Sequence, residues 1–439
     1  MAKMTPRTLS GFMELLPAPQ QQMERIMEVL RKTYSLYGFT PLDTPVIESS
    51  EVLLAKAGGE TEKQIYRFQK GDSDLSLRFD LTVPLAKYVA LHYNELSFPF
   101  RRYQIGKVYR GERAQRGRFR EFYQADIDII GDGKLDITNE AEIPSIIYQT
   151  FSTLGLKRFQ IRVNNRKILN GFYAMLGLTE KSGDIMRTVD KLDKIGPEKV
   201  KTILVEDFAV SESDADEILK FIAIKGSNAE VLTALEGYTG RNEMFDQGLS
   251  ELNTVVKYLA DFGVPAENFA VDLTIARGLD YYTKTVFELI TKTENGNLTV
   301  CGGGRYDNLV EELGGPSLHA VGFGMGIERV LMLLDSEGVV IPKPTLYDVF
   351  VTYMGAHQVE AFSLVQKLRD AGLKADMDHT GRSLKAQFKY ANKMGATLTA
   401  TLGDEEIASG VVKVKNMATK EEQTIALDNI ADGIRNMLG

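Results

Sequence analysis

Between Arg101 and Gly131 the chain reads RRYQIGKVYRGERAQRGRFREFYQADIDIIG, two strand-like runs joined by a short basic loop, Arg113 to Gly117. In the second run Phe119, Tyr123, Ala125, Ile127 and Ile129 share one parity, and Arg118, Arg120, Phe122, Gln124, Asp126 and Asp128 share the other. Val108, Arg110 and Glu112 likewise share one face of the first run. Such a mixture of cations, carboxylates, an amide and a lone phenyl ring suits a charged, partly aromatic ligand. A solvated face laced with ion pairs is the commoner fate of charged strands, so the hairpin by itself leaves both readings open.

Other stretches carry chemistry of the same kind. In ARGLDYY, residues 276–282, Arg277 closes an apolar strand of Val271, Leu273 and Ile275, where a buried guanidinium needs an anionic partner. Tyr281 and Tyr282 follow, with hydroxyls on opposite faces if the chain is extended; a structural ion pair with core aromatics is the competing reading. In RFDLTVP, Asp80 or Thr82 fits a helix N-cap with Pro84 in the first turn. Capping accounts for both residues, yet a carboxylate and a hydroxyl at a strand-to-helix junction also suit an ammonium group. Gly302-Gly303-Gly304 and Gly322-x-Gly324-x-Gly326 match neither a P-loop nor a dinucleotide fingerprint, and tight strand packing explains them better.

Composition bounds the chemistry. The single cysteine, Cys301, excludes an intrachain disulfide and a cysteine-built zinc site, and the four histidines lie far apart without ligand spacing. A net charge of −8 argues against general coating of nucleic acid and leaves local RNA recognition by basic patches open; DNA is not an expected partner. No run approaches the roughly 20 apolar residues of a membrane span, and MAKMTPRTLSGF lacks the apolar core of a signal peptide. A cytoplasmic protein with no membrane association is the expectation.

At 439 residues the chain is long enough for about three domains. The periodicity predicts an amphipathic helix over 17–38 and an edge or chain-interface segment in YGFTPLDTPVIESS, where Pro41 and Pro45 bar a central strand. It predicts a hairpin of Tyr66–Phe68 and Leu75–Phe79 leading into a helix from Val83, and a second helix over 139–154. KRFQIRVNNRKIL reads as a strand and a polar turn, and 170–262 as a helical insertion between two halves of a sheet domain. Strands return from 269, and AVGFGMGIERVLMLL reads as strand, glycine turn and helix, with Arg329 off the helix's apolar stripe. Residues 1–340 then form one domain, 341–345 around Pro342-Lys343-Pro344 a linker, and 346–439 an independent α/β unit.

Taken together these motifs resemble the class II aminoacyl-tRNA synthetases. Arg110-x-Glu112, the loop, Arg118 and Phe122 look like motif 2; GFGMGIER, ending in Arg329, looks like motif 3; and YGFTPLDTPVI resembles the dimer-interface motif 1 through Pro45. ARGLDYYTKTVFE and GGGRYDNLV are similar to signatures of the histidyl-tRNA synthetase family, while RFDLTVP and REFYQADIDIIG match the variant shared by eukaryotic and archaeal members. The resemblance spans essentially the whole chain. It implies an α+β fold: an antiparallel-sheet catalytic domain with a helical insertion, and a C-terminal α/β anticodon-binding domain. It implies ATP-dependent ligation of L-histidine to histidine tRNA through a histidyl-adenylate, with Mg²⁺, in a homodimer.

The same resemblance implies roles for particular residues. Arg110 and Arg277 would flank the α-phosphate and be the catalytic arginines. Phe122 and Arg329 would sandwich adenine, Glu112 would sit near its amino group, and Arg118 would help hold the terminal phosphates. Asp80, Leu81, Thr82 and Gln124, with the two arginines, would bind the histidine backbone. Asp128, Tyr281 and Tyr282 would form the imidazole pocket. In bacterial members Asp80 and Asp128 would be glutamates, so the shorter side chains here need an offset. The chemistry is coherent: the attacking carboxylate is already ionised, so adenylation needs positioning and cations rather than a catalytic base. A non-catalytic histidine-sensing paralogue is one rival, and a class II enzyme for proline, threonine or glycine another.

Overall fold

A computed structural model describes residues 5–55, 60–115, 117–275, 281–293, 296–339 and 345–439. The chain divides into two compact units, Met1–Ile341 and Pro342–Gly439. Among the described residues no helix is long and apolar enough to cross a membrane.

The first unit is built on an eight-stranded sheet. Its strands are β1 (Thr40–Pro41), β5 (Phe100–Tyr109), β6 (Glu121–Asp132), β7 (Phe159–Asn165), β8 (Phe269–Val271), β9 (Thr285–Thr293), β10 (Gly296–Tyr306) and β11 (Leu318–Gly326). The order is β1-β5-β6-β11-β10-β9-β7-β8, antiparallel except where the short edge strands β1 and β8 pair parallel with β5 and β7. A small antiparallel sheet of β2 (Ile47–Ser49), β3 (Arg67–Lys70) and β4 (Ser73–Leu77) stands apart from it. Helices Pro17–Leu36, Thr138–Thr153 and Ile327–Ser336 bury their apolar stripes on one face of the large sheet, against Ala125, Ile127 and Ile129 of β6. That leaves the opposite face of β6, with Gln124, Asp126 and Asp128, to line something other than core.

Residues 166–262 hold seven helices of four residues or more, from Arg166–Met175 to Glu243–Asp261, with an apolar cluster of their own around Phe172, Phe221 and Phe245. The second unit has a five-stranded sheet in the order β13-β12-β14-β15-β16, from β12 (Val349–Tyr353), β13 (Ala375–Met377), β14 (Leu398–Leu402), β15 (Val411–Asn416) and β16 (Glu422–Ala426). Helices pack on it around Leu364, Val365, Leu368 and Ile434.

Several expectations are corrected. RKIL does not form a polar turn: Asn165 caps a helix there, its side chain accepting from the Lys167 N–H at 2.9 Å. GFGMG is not a turn but the last part of β11, and the helix starts at the next residue, Ile327. Strand β8 ends at Val271, so Leu273 and Ile275 are not strand residues, because Asp272 turns the chain by accepting from the Thr274 N–H and hydroxyl. Arg382 lies ahead of its helix, Leu384–Lys393, and covers the Tyr390 ring at 4.2 Å, so it does not extend a stripe with the exposed Lys385, Lys389 and Lys393.

Candidate active site

The pleat of β6 sets one wall. Gln124, Asp126 and Asp128 lie opposite Gly106, Gln104 and Arg102 of β5 on one side, and opposite Gly326, Gly324 and Gly322 of β11 on the other. Next along the sheet, Gly302 and Gly304 of β10 face Gly324 and Gly322. The result is a floor of bare backbone beside a column of polar side chains. The glycines are required by that closeness: a Cβ built on Gly322 would lie 2.0 Å from Asp128 Oδ1, and one on Gly324 2.5 Å from Asp126 Oδ1. Tight strand packing therefore accounts for only part of the glycine pattern; the rest is space for carboxylates and for whatever they bind.

Over this floor lies a cavity of about 510 Å³. Among its lining residues are Asp80, Thr82, Arg110, Glu112, Arg118, Phe122, Gln124, Asp128, Tyr281, Tyr282 and Arg329, so residues from the two ends of the sheet domain are brought together. Leu81 is fully buried and outside the lining; its carbonyl accepts from Arg102 at 3.2 Å. Arg277 lies outside the described residues. Tyr281 and Tyr282 do not point to opposite faces. Their rings meet edge-on at 5.0 Å, and both line the cavity, because the segment entering β9 is not extended there.

The open, cationic end is fixed by backbone anchors. Arg110 follows β5, donates to the Phe79 carbonyl at 2.9 Å and to Gln124 Oε1 at 3.2 Å, and lies 5.2 Å from the Phe122 ring centroid. Arg329, three residues into its helix, donates to the Thr299 carbonyl at 2.9 Å and the Gly117 carbonyl at 3.2 Å, tying β10 to the basic loop. Arg118 pairs with Glu112 at 3.4 Å. Since an exposed pair of this kind contributes at most about 1 kcal/mol, a multiply charged anion can draw Arg118 away from it.

The closed end is acidic and buried. The helix starts at Thr82 with Leu81 at its N-cap, so neither Asp80 nor Thr82 is the capping residue expected; Asp80 Oδ1 still accepts from the Val83 N–H at 3.2 Å, while Oδ2 is buried without a hydrogen-bond partner. Tyr281 hydrogen-bonds Thr82, and Tyr282 hydrogen-bonds Tyr281. Asp128 accepts from the Tyr306 hydroxyl at 2.6 Å on Oδ1 and lies 2.7 Å from Arg102 on Oδ2. Arg102 is fully buried. A buried ion pair of this kind is costly to break from one side, by about 3–5 kcal/mol. Burial pushes the Asp80 carboxyl up to about 6 against the pull of the Val83 N–H and of Arg110, and pushes Asp126 up to about 8, with Asp128 adding repulsion. Burial likewise raises Asp128, against Arg102 and the Tyr306 hydrogen bond.

Sequence reasoning assigned no role to Asp126, Tyr306 or Arg102. For two of them the signal was present. Asp126 lies between Gln124 and Asp128 on the polar parity already noted, and Tyr306 shares its parity with Gly302 and Gly304. Arg102 gave none, since only the register of β5 on β6 sets it against Asp128.

Comparison with known proteins adds the following. Residues 11–330 match the family model for histidyl-tRNA synthetase, and residues 348–437 match that for an anticodon binding domain. A histidine--tRNA ligase of Clostridium tetani is 46% identical, over 98% of this chain and 98% of its own. One from Xanthomonas campestris is 40% identical, over 98% of this chain and 96% of its own. The crystal structure of histidyl-tRNA synthetase from Nostoc sp. PCC 7120 superposes with a TM-score of 0.88 at 36% identity, covering 99% of this chain and 100% of that one.

Proposed function

We propose residue roles for a chain that belongs to the histidyl-tRNA synthetase family and carries out ATP-dependent ligation of histidine to its tRNA. The observation that carries the assignment is the polarity of the cavity, with arginines and a phenyl ring at the open end and buried carboxylates and tyrosines at the closed end. ATP lies at the open end, its adenine between Phe122 and Arg329 with Glu112 near the amino group, and its terminal phosphates on Arg118. Histidine lies at the closed end. Its ammonium group meets Asp80, Thr82 and Gln124, and its carboxylate faces Arg110.

The first step joins a carboxylate oxygen of histidine to the α-phosphorus, and the bond from that phosphorus to the pyrophosphate oxygen breaks. No proton is transferred, so no residue need act as a base. Arg110 and Arg277 neutralise the charge on the phosphorus centre, and the fixed donors of Arg110 keep it in place through the step. In the second step the terminal ribose hydroxyl of tRNA attacks the histidyl carbonyl, the bond from the carbonyl carbon to the phosphate oxygen breaks, and AMP departs, its phosphate taking up the hydroxyl proton.

Mg²⁺ enters as part of the Mg·ATP substrate. Among the described residues no group of three or more His, Cys, Asp or Glu side chains is placed to hold a metal, which fits an ion that keeps its phosphate oxygens as ligands. The active form is a homodimer in the cytoplasm. The partly exposed Val46 and Ile47, next to the motif 1 prolines in sequence, and Phe68 of the same small sheet favour a protein partner over water.

The test is ATP–pyrophosphate exchange, screened over the amino acids singly and without tRNA. Exchange with histidine alone is expected. Histidine binding with no exchange would turn the reading toward a sensor in a synthetase's fold. Arg277→Ala is expected to abolish exchange, by about 10³-fold or more, while leaving the far-UV spectrum unchanged. Near-normal exchange in that folded variant would remove Arg277 from its role.

A further inference from the structure

Asp128 is the carboxylate that family resemblance assigns to the imidazole, yet its Oδ1 already accepts from the Tyr306 hydroxyl at 2.6 Å, and its Oδ2, though without a hydrogen bond, is paired with the buried Arg102 cation at 2.7 Å. Its neighbour on the same face is different. Asp126 is 2% exposed and lines the same cavity. Its Oδ2 accepts from Gln124 Nε2 at 2.9 Å, but Oδ1 is buried with no hydrogen-bond partner. Directly opposite lies Gly324, with no side chain to intervene. A buried orphan acceptor calls for an explanation, and one that lines a cavity is placed for a ligand to complete it.

Resting on the histidine reading above, we propose that Asp126 is the residue that grips the imidazole ring, and that Asp128 acts as a positioning residue, holding Tyr306 and Arg102. Asp80 Oδ2, likewise buried without a hydrogen-bond partner, lies beside Thr82 at the helix start and takes the ammonium group, whereas Asp128 Oδ2, also without a hydrogen bond, is held 2.7 Å from the Arg102 guanidinium. The geometry divides the ligand's donors between the open oxygens of Asp126 and Asp80. Burial has pushed the Asp126 carboxyl up to about 8, so both of its forms are accessible near neutrality. Ionised, Oδ1 accepts the ring N–H; protonated, it donates to the ring's bare nitrogen. Gln124 links the two ends of the site, donating to Asp126 and accepting from Arg110. A ligand without a ring nitrogen at this point leaves Asp126 orphaned, which is how a buried polar site rejects analogues.

The experiment compares Asp126→Ala, Asp126→Asn and Asp128→Asn in the full-length protein. The readouts are KM for histidine, KM for ATP, kcat in pyrophosphate exchange, and inhibition by desamino-histidine, which keeps the ring and carboxylate but lacks the ammonium group. Asp126→Ala is expected to raise KM for histidine roughly 10- to 100-fold, with KM for ATP within about twofold, and to weaken desamino-histidine by the same factor. Asp126→Asn keeps the volume and one hydrogen bond and decides the matter if the alanine variant does not fold; its expected loss is smaller but equal for the two ligands. Weakening of histidine alone would place Asp126 at the ammonium and overturn the proposal, as would a larger ring-specific loss in Asp128→Asn than in either Asp126 variant. Absence of histidine-dependent exchange in the parent protein would instead fail the reading on which this rests.

Discussion

At the scale of single residues, the site is held by what is missing as much as by what is present. Gly322 has no Cβ because Asp128 occupies that space, and the same holds for Gly324 and Asp126. Gly322→Ala would place a carbon 2.0 Å from Asp128 Oδ1 and 2.6 Å from the Ile127 carbonyl, and backbone cannot swing aside as a flexible side chain does. The expected outcome is a destabilisation of about 1–3 kcal/mol, with KM for histidine raised at least about tenfold and KM for ATP little changed. Denaturant titration and exchange kinetics check it. An equal loss of affinity for both substrates would mean that the strand, rather than the carboxylate, had moved.

At the scale of elements, the joint between β6 and the helix Ile327–Ser336 carries a titration. Both oxygens of Glu328 accept from the Tyr123 N–H, at 2.8 and 3.0 Å, and burial outweighs that bond to push the carboxyl up to about 7. The folded state therefore holds its proton more tightly than the unfolded chain does. Its contribution to stability is greatest below the unfolded value near 4.5 and is lost as pH rises toward 7. Glu328→Gln keeps an acceptor for Tyr123 and removes the charge. The variant is expected to gain up to about 3 kcal/mol relative to the parent on going from pH 5 to pH 8. Asp80 and Asp126, raised for the same reason, leave a residual slope in both proteins. Urea unfolding at the two pH values reads the difference, and identical shifts would assign the slope to the other buried carboxylates, Asp80, Asp126, Asp128 and Glu140, rather than to Glu328.

At the scale of the whole molecule, the two units divide the labour of the family. The sheet of the first unit carries the cavity, and residues 348–437 match an anticodon binding domain. Homodimerisation is expected to give a sedimentation-equilibrium mass twice the 48.9 kDa of the chain. Val46→Asp with Ile47→Lys, on partly exposed residues outside the cavity lining, is expected to shift that mass toward the single chain. A single-chain mass in the parent protein would remove the homodimer from the reading.

The sequence by itself determined the alternation that separates core from site on β6 and the helical character of 170–262, which depend on periodicities of two and 3.6 and are legible without knowing what packs on what. The family was legible in a different way, through the resemblance of whole motifs to those of known proteins. Cavity membership, the pairing of Arg102 with Asp128, the common face of Tyr281 and Tyr282, and the vacant oxygen of Asp126 were decided only by tertiary structure. Each depends on strand register or on a turn between distant segments. A register of β6 shifted by one residue would send Asp126 and Asp128 to the other face of the sheet.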